Sequence, residues 1–424
     1  MNRQLSAAVL ATFRDAHCSA HSRRLQQFST RQWQHSLHWL DASGLALYFL
    51  HRLNLLDIVE ALPTIIGCQL EQRQKDNQRR TAALLAECAR LNAAFRNAAL
   101  SYVNLKGFTL VPDYCPALSL RCQMDCDFLI DRRDAARCQE ILRAHGYSRI
   151  AAKPHVMEFK TDAGRTPGIA DLYKARPEKS VEVHLCNSER SEFEPGLLAR
   201  AGRTPLDAEQ WPSLLAGDQF LLQAFHLWRH LRSEWTRLSW LLELRQCIVV
   251  HSGDETFWER IRERATQTAR GVLAVGIAVR MAEKAFGDFA PRALTSWSYC
   301  RLPAEVNLWV EHFGDDVLLA DFPGSKLYLI LESAIRGKEN PSTIRQKLVP
   351  RHLPAAIVPN PRARFGRRLL VARTQCSYFW FRLRFHIAAG FRYLLATRRW
   401  KRAHQRPIEI TAGAPAGCVV TRAD

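Results

Sequence analysis

The sequence predicts an α+β protein in which a small group of strands lies between two helical regions. Apolar side chains before Tyr102 recur at spacings of three and four, as in amphipathic helices, and this pattern returns from about Pro205. Between these regions the short runs YVNL, MDCDFLI and SVEVHL have the alternation or apolar character of strands. At 424 residues the chain is too long for one ordinary core, so we expect several cooperating regions.

Composition and charge divide the chain further. A content of 47% hydrophobic and 24% charged residues is typical of globular proteins and excludes a disordered chain. The net charge is +19, but residues 341–424 carry 17 Lys or Arg against two acidic residues, a balance of +15. We therefore predict an N-terminal helical region (1–98), a core (99–204), a C-terminal helical domain (205–340) and a basic aromatic tail (341–424).

The N-terminal region is predicted to serve packing and positioning, without chemistry of its own. Trp33, Leu37 and Leu40 share one helical stripe, and Gly44 is a candidate break before the next helix. A further stripe in this region comprises Leu84, Cys88, Leu91 and Phe95.

Two aspartates organise the core. Asp125 and Asp127 lie two residues apart in MDCDFLI, so a strand would direct both carboxylates to one face and Cys126 to the other. Two like charges held so close require a cation or access to water. Oxygen ligands suit Mg²⁺, which completes its shell with water and substrate phosphates, so the pair suggests a nucleoside triphosphate site. The pair alone also fits two solvated aspartates at the start of a strand.

Basic residues precede the aspartates. Lys106 and Gly107 follow the first strand, where a glycine turn lets backbone approach a phosphate and the lysine could add positive charge. Arg121 lies four residues before Asp125, where an extended chain would place its guanidinium on the same face, to hold phosphate or to pair with an aspartate. Lys106 also fits an ordinary solvated lysine. The segment after the aspartates predicts a helix closed by Gly146.

Together, the LKG turn, Arg121, the DCDFLI strand and the helix that ends in HGY resemble the uncharacterised nucleotidyltransferase family. This family belongs to the DNA polymerase β-like nucleotidyltransferase superfamily. The superfamily has a small mixed sheet, a Gly-Ser pair before its Asp-x-Asp, and a third carboxylate on a neighbouring strand. Here Lys106 and Gly107 stand in the place of Gly-Ser, as they do in this branch. The resemblance extends over roughly residues 20 to 340.

The resemblance directs the search for a third carboxylate to SVEVHL. Glu182 and His184 alternate with apolar residues, so a strand puts both on one face. The family shows an acidic residue, an apolar residue and a histidine in this order, which makes Glu182 the candidate third metal ligand. His184 is expected to be structural or to contact substrate, and Glu182 alone would also fit an exposed strand residue.

The resemblance implies in-line transfer of a nucleotidyl group with two Mg²⁺ ions, for which Mn²⁺ could substitute. It assigns catalysis and metal binding to Asp125, Asp127 and Glu182, and nucleotide binding to Lys106, Gly107 and Arg121. The partners are then a nucleoside triphosphate and an acceptor, and the residues select neither the base nor the acceptor. The alternative is a catalytically inactive nucleotide-binding or surface-associated protein that retains the fold.

Other candidate ligands carry less information. His226 and His230 lie four residues apart on a predicted helix, where packing or substrate contact is favoured over zinc because no further ligand is identified. The twelve cysteines are scattered through a long chain, which favours reduced thiols over a disulfide framework. Those near the core, which we expect to be small buried hydrophobic residues, are Cys115, Cys122, Cys126 and Cys138.

The termini bear on location. Charged residues interrupt the first segment where a signal peptide would need an apolar run, and no run of roughly 18 uncharged apolar residues occurs. We therefore expect a cytoplasmic protein, peripheral to the membrane if its tail attaches there. Aromatic and basic residues interleave over 359–406, which suits an anionic membrane surface, nucleic acid or an acidic partner, or a helix packed on the body. Residues 409–424 are expected to be loose.

Overall fold

The computed structural model describes residues 2–161, 171–176, 178–186, 196–206, 209–322, 324–336, 341–349 and 365–405. The N-terminal helices are α1 (Arg3–Thr12), α2 (Cys18–Gln26), α3 (Thr30–Ser43), α4 (Ala46–Leu55) and α5 (Thr64–Asn97). The central elements are β1 (Tyr102–Leu105), β2 (Cys126–Asp131), α6 (Ala135–Ala144), β3 (Ser148–Lys153), β4 (Val156–Lys160), β5 (Ser180–Cys186), β6 (Gly202–Leu206) and β7 (Glu209–Ser213). The remaining helices are α7 (Ala216–Leu231), α8 (Leu238–Val250), α9 (Glu255–Gln267), α10 (Gly271–Phe286), α11 (Arg292–Ser298), α12 (Ala304–Leu318), α13 (Tyr328–Arg336), α14 (Pro341–Leu348) and α15 (Phe365–Gln405).

The described strands form one mixed sheet in the order β3-β4-β5-β2-β1-β7-β6. β2 pairs in parallel with β5 and antiparallel to β1, so the three strands that carry the predicted site are adjacent. The α+β fold, with a mixed sheet flanked by helical N- and C-terminal regions, is confirmed. The division into four regions stays a prediction.

The long helix α5 connects the sheet to the helical part of the molecule. Its first half contributes Ile66 and Leu70 to the helical core, and its second half packs on the sheet. The predicted stripe of Leu84, Cys88, Leu91 and Phe95 is buried in one cluster with β2. There the Phe95 ring contacts the Phe128 ring edge to face, with 5.0 Å between the ring centroids.

The two helical regions bury their apolar side chains in one shared core. Trp33 and Phe49 of the N-terminal helices lie in the same cluster as Phe220 and Trp258 of the C-terminal helices. The predicted break at Gly44 is confirmed, since this residue ends α3 in the left-handed conformation.

Two expectations from the sequence are wrong. The chain does not turn helical at about Pro205, because β6 and β7 extend the sheet to Ser213 before α7 begins. Cys126 is buried as expected, but it is not a free thiol: it forms a disulfide with Cys88 of α5. This bond joins α5 to the start of β2, because Cys126 lies between Asp125 and Asp127 in the sequence.

The described part of the tail forms the helices α14 and α15, and α15 packs one face on the body. Its Ala389, Tyr393 and Ala396 are buried, and the Arg382 guanidinium lies 3.1 Å from a carboxylate oxygen of Glu234. No helix among the described residues is long and apolar enough to cross a membrane. The expectation that residues 409–424 are loose concerns a segment outside the described residues.

Candidate active site

The register of β2 and β5 brings two predicted carboxylates together. Asp127 is the direct partner of Glu182 across this parallel pair, and Leu105 at the end of β1 lies opposite Asp127 on the other side. Cys126 faces α5 with Phe128, so Asp127 faces away from that helix, as strand alternation predicts. The two acidic side chains therefore meet on one face of the sheet because their strands are aligned.

His184 completes a group of donors with a spacing close to that of metal ligands. Its Nε2 lies 3.3 Å from Oδ1 of Asp127 and 3.5 Å from Oε2 of Glu182. One donor atom from each of these three residues lies within 4.8 Å of the others, near the spacing that bonds of about 2.1 Å to one ion require. Burial alone would lower the pKa of His184, but its hydrogen bonds to both carboxylates outweigh this effect and raise it.

Asp125 lies beside this group. The strand begins at Cys126, so Asp125 precedes it, and among the described residues it is not one of the donors within 4.8 Å. Burial, followed by the negative charges of Asp127 and Glu182, raises the pKa of Asp125 to about 7. The negative charges of Asp127 and Glu182 thus act on Asp125, and a cation bound among these carboxylates would reduce their repulsion.

Asp127 itself is held ionised. Burial would raise the pKa of this carboxyl group, but Lys106 and His184 outweigh burial and hold its pKa below the usual value. The Lys106 ammonium nitrogen lies 3.6 Å from Oδ1 of Asp127. The lysine thus supplies positive charge beside the carboxylate.

The predicted turn before β2 has an unusual backbone. Lys106 has φ 53° and ψ −151°, close to a region that glycine occupies but other residues rarely do, and Gly107 also has φ +53°. The backbone N–H and hydroxyl of Thr109 both donate to the Lys106 carbonyl and hold the turn. A Cβ at position 107 would lie 2.3 Å from Nε2 of Gln123, so a larger residue here would have to displace the end of that side chain. Both the positive φ and the close approach of Gln123 therefore favour glycine at position 107.

Arg121 is paired with a residue of the helical region. Its Nε donates to Oε1 of Glu243 on α8 over 3.0 Å, and the Tyr48 hydroxyl donates to the same oxygen over 2.8 Å. Burial would lower the pKa of Arg121, but the Glu243 carboxylate outweighs it and raises the pKa. The charge of Arg121 also contributes to lowering the pKa of Asp127, so it acts on the site across a short range. Its predicted role in nucleotide binding stays a prediction.

Side chains of α5 fix the loop that leads into β2. The Asn77 side-chain amide donates to the carbonyls of Ser119 and Arg121, at 2.8 Å and 3.1 Å. Arg80 Nε donates to the carbonyl of Gln123 over 3.0 Å. These bonds satisfy loop carbonyls that have no strand partner, and so they set the position of the segment that carries Arg121 and Asp125.

The two histidines of α7 form an aromatic group. Their rings lie 4.5 Å apart between centroids, and Trp240 of α8 contacts both. Burial lowers the pKa of His226 well below its ordinary value, with Lys106 as the next cause, and burial lowers that of His230 to about 4. The effect of Lys106 shows that this group lies within electrostatic range of the turn. Neither histidine belongs to a potential metal group among the described residues.

A sequence model of the family described as uncharacterised nucleotidyltransferases matches residues 29–287. The chain belongs to this family. The match begins at α3 and ends directly after α10, so it includes the whole sheet and the residues of the site. No curated protein matches the chain.

Some of the residues that build this site are not predicted from the sequence, or are predicted with too little weight. Asn77 was missed, although it falls in phase with the buried stripe at Leu84 and Leu91, and a polar residue in such a stripe signals an internal partner. His184 was expected to be structural or to contact substrate, yet its ring lies among the carboxylates. The pairing of Glu243 with Arg121 has no signal in the sequence, because the two residues lie 122 positions apart.

Proposed function

We propose that the chain transfers a nucleoside monophosphate from a triphosphate to an acceptor, in a reaction that depends on Mg²⁺ or Mn²⁺. The observation that carries the proposal is the pairing of Asp127 with Glu182 beside the strained turn at Lys106 and Gly107. Membership in the nucleotidyltransferase family supports the same reaction class.

The donors present fit a divalent cation. Two carboxylates and an imidazole converge, and a third carboxylate, Asp125, has a raised pKa because it is buried and because Asp127 and Glu182 place negative charge near it. Carboxylate oxygens are the ligands that Mg²⁺ and Mn²⁺ prefer, and these ions take further oxygens from substrate phosphates. Asp127 and Glu182 would therefore hold the metal, and His184, which converges with them, would supply a further donor or fix the two carboxylates. In this proposal Asp125, beside the group, is the third carboxylate that holds the metal.

When bound, divalent ions would supply Lewis-acid stabilisation of the negative charge on the reacting phosphates. The acceptor oxygen bonds to the α-phosphorus while the bond from that phosphorus to pyrophosphate breaks. Lys106 is positioned to neutralise a phosphate oxygen, and the Gly107 turn lets the backbone approach it. Glu182, which is the more exposed carboxylate of the pair, is placed to take the proton of the acceptor.

The test uses the full-length chain with each of the four triphosphates, labelled on the α-phosphate, and a cell extract as the source of acceptors. We expect a labelled product that requires Mg²⁺ or Mn²⁺, and no product from the same nucleotide labelled on the γ-phosphate. Asp127→Asn and Glu182→Gln should each reduce labelling by at least about a hundredfold. Asp131→Asn, at the far end of the same strand, is the matched control and should retain labelling.

Two results would overturn the proposal. Labelling that persists in both Asp127→Asn and Glu182→Gln would separate the activity from this site. Metal-dependent nucleotide binding without transfer to any acceptor would instead support the alternative of a binding protein that retains the fold.

A further inference from the structure

The helix α15 has an unusual charge composition. Residues 365–405 contain ten Lys or Arg and no acidic residue. One face of the helix is held on the body by buried Tyr393 and Ala396 and by the ion pair of Arg382 with Glu234. The opposite face is exposed in the part of the chain that the structure describes.

Large apolar side chains are exposed on that opposite face. This outer stripe consists of Trp380 (61% exposed), Ile387 (66%), Phe391 (63%), Leu394 (58%) and Leu395 (41%). At about 100° per residue these five positions fall within an arc of about 100°, and they extend over about 22 Å of helix. A folded protein rarely leaves so many large apolar groups together in water, so the stripe is expected to contact a partner.

Arginines accompany the outer stripe. Arg384 lies within the same arc, Arg373 and Arg398 continue it towards either end, and Arg392 and Arg399 lie along one side. All five are exposed. An apolar stripe with basic residues within and around it matches the surface of an anionic bilayer, where acyl chains receive the apolar groups and headgroups receive the guanidinium groups.

Other occupants fit less well. A symmetric contact between two copies would place arginines of one stripe against arginines of the other, and this helix has no acidic residue to compensate. Nucleic acid would accept the arginines and could stack on Trp380 or Phe391, but it offers no apolar surface for Ile387, Leu394 and Leu395.

We propose that the outer stripe of α15 docks the protein on an anionic lipid surface, with the helix lying in the plane of the interface. The proposed docking is peripheral, because Arg384 lies within the stripe and the opposite face of the helix is packed on the body. The outer face of α15 would contact the lipid, and its buried face would connect the rest of the chain to the membrane. This inference does not depend on the proposed transferase activity.

The experiment measures partition of the full-length chain onto vesicles of phosphatidylcholine alone and of phosphatidylcholine with about 30% phosphatidylserine. We expect binding to the anionic vesicles, weakened as salt rises from about 0.1 M to about 1 M. Ile387→Ser combined with Phe391→Ser should reduce partition at least about tenfold. Arg384→Glu combined with Arg398→Glu should abolish the preference for anionic vesicles.

The matched control is Leu55→Ser combined with Val250→Ser, since these residues are apolar, 65% and 50% exposed, and lie on other helices. It should leave partition unchanged, and circular dichroism verifies the fold of each variant. No binding to anionic vesicles, or an equal loss in the control and the stripe variant, would overturn the proposal. Nucleic-acid binding that persists in the Ile387→Ser, Phe391→Ser variant and is lost in the Arg384→Glu, Arg398→Glu variant would also overturn it. So would a dimer of the unchanged chain that the two serine substitutions dissociate.

Discussion

We expect the Glu87 carboxylate to stabilise the sheet region strongly through its electrostatic interactions. This residue is 4% exposed on α5. Its Oε1 accepts hydrogen bonds from Arg90 at 2.5 Å and from the Tyr147 hydroxyl at 2.7 Å, and its Oε2 accepts from Lys179 at 2.5 Å. Lys179 immediately precedes β5, so Glu87 connects the long helix to the strand that carries Glu182.

The size of the effect follows from the pKa of this group. Burial raises the pKa of Glu87, but hydrogen bonds from Arg90, Lys179 and Tyr147 outweigh burial and lower it from 4.5 to about 2. Because the folded state binds the proton more weakly than the unfolded state, the stabilisation is present above about pH 4.5 and is lost as pH falls towards 2. A shift of this size corresponds to about 3 kcal/mol near neutral pH.

Glu87→Gln keeps the shape and removes the charge. We expect its free energy of unfolding, from urea titration followed by circular dichroism, to fall by about 2 to 3 kcal/mol near neutral pH and to approach that of the unchanged chain near pH 2. Glu259→Gln is the matched control, because Glu259 also pairs with an arginine three residues away but is 49% exposed. The free energy of unfolding of this control should fall by less than about 0.5 kcal/mol. Equal losses in the two variants, or a Glu87→Gln loss that does not diminish with acid, would refute the reasoning.

Two further predictions concern the site. Gly107→Ala should weaken Mg²⁺-dependent nucleotide binding at least about tenfold, measured by titration calorimetry, because the added Cβ displaces the side chain behind the turn. Gly146 also has a positive φ but no neighbour within 4 Å of an added Cβ, so Gly146→Ala should leave binding unchanged, and equal effects would contradict the packing argument. Glu243→Gln removes the buried counterion of Arg121, whose side chain is 17% exposed, and should lower the free energy of unfolding by about 3 kcal/mol, measured in urea. A loss below about 1 kcal/mol would show that the pair is not essential to the fold.

The sequence by itself determined the local geometry of the candidate site. Strand alternation is a property of the backbone, so it placed Cys126 and Asp127 on opposite faces and Glu182 with His184 on one face. Helical periodicity likewise identified the stripe of α5 that covers the sheet. The Lys106–Gly107 turn was also readable, because a glycine after a strand marks a change in chain direction.

Only the tertiary structure decided which residues meet across the chain. The register of β2 against β5 aligned Asp127 with Glu182, and the packing of α8 paired Arg121 with Glu243. Neither contact produces a periodic pattern in the sequence, because each depends on how separate elements pack rather than on local backbone geometry. The strands β6 and β7 are not predicted from the sequence for the same reason. Their sequences are short and polar, and β7 is stabilised by pairing with β1 and β6 by pairing with β7.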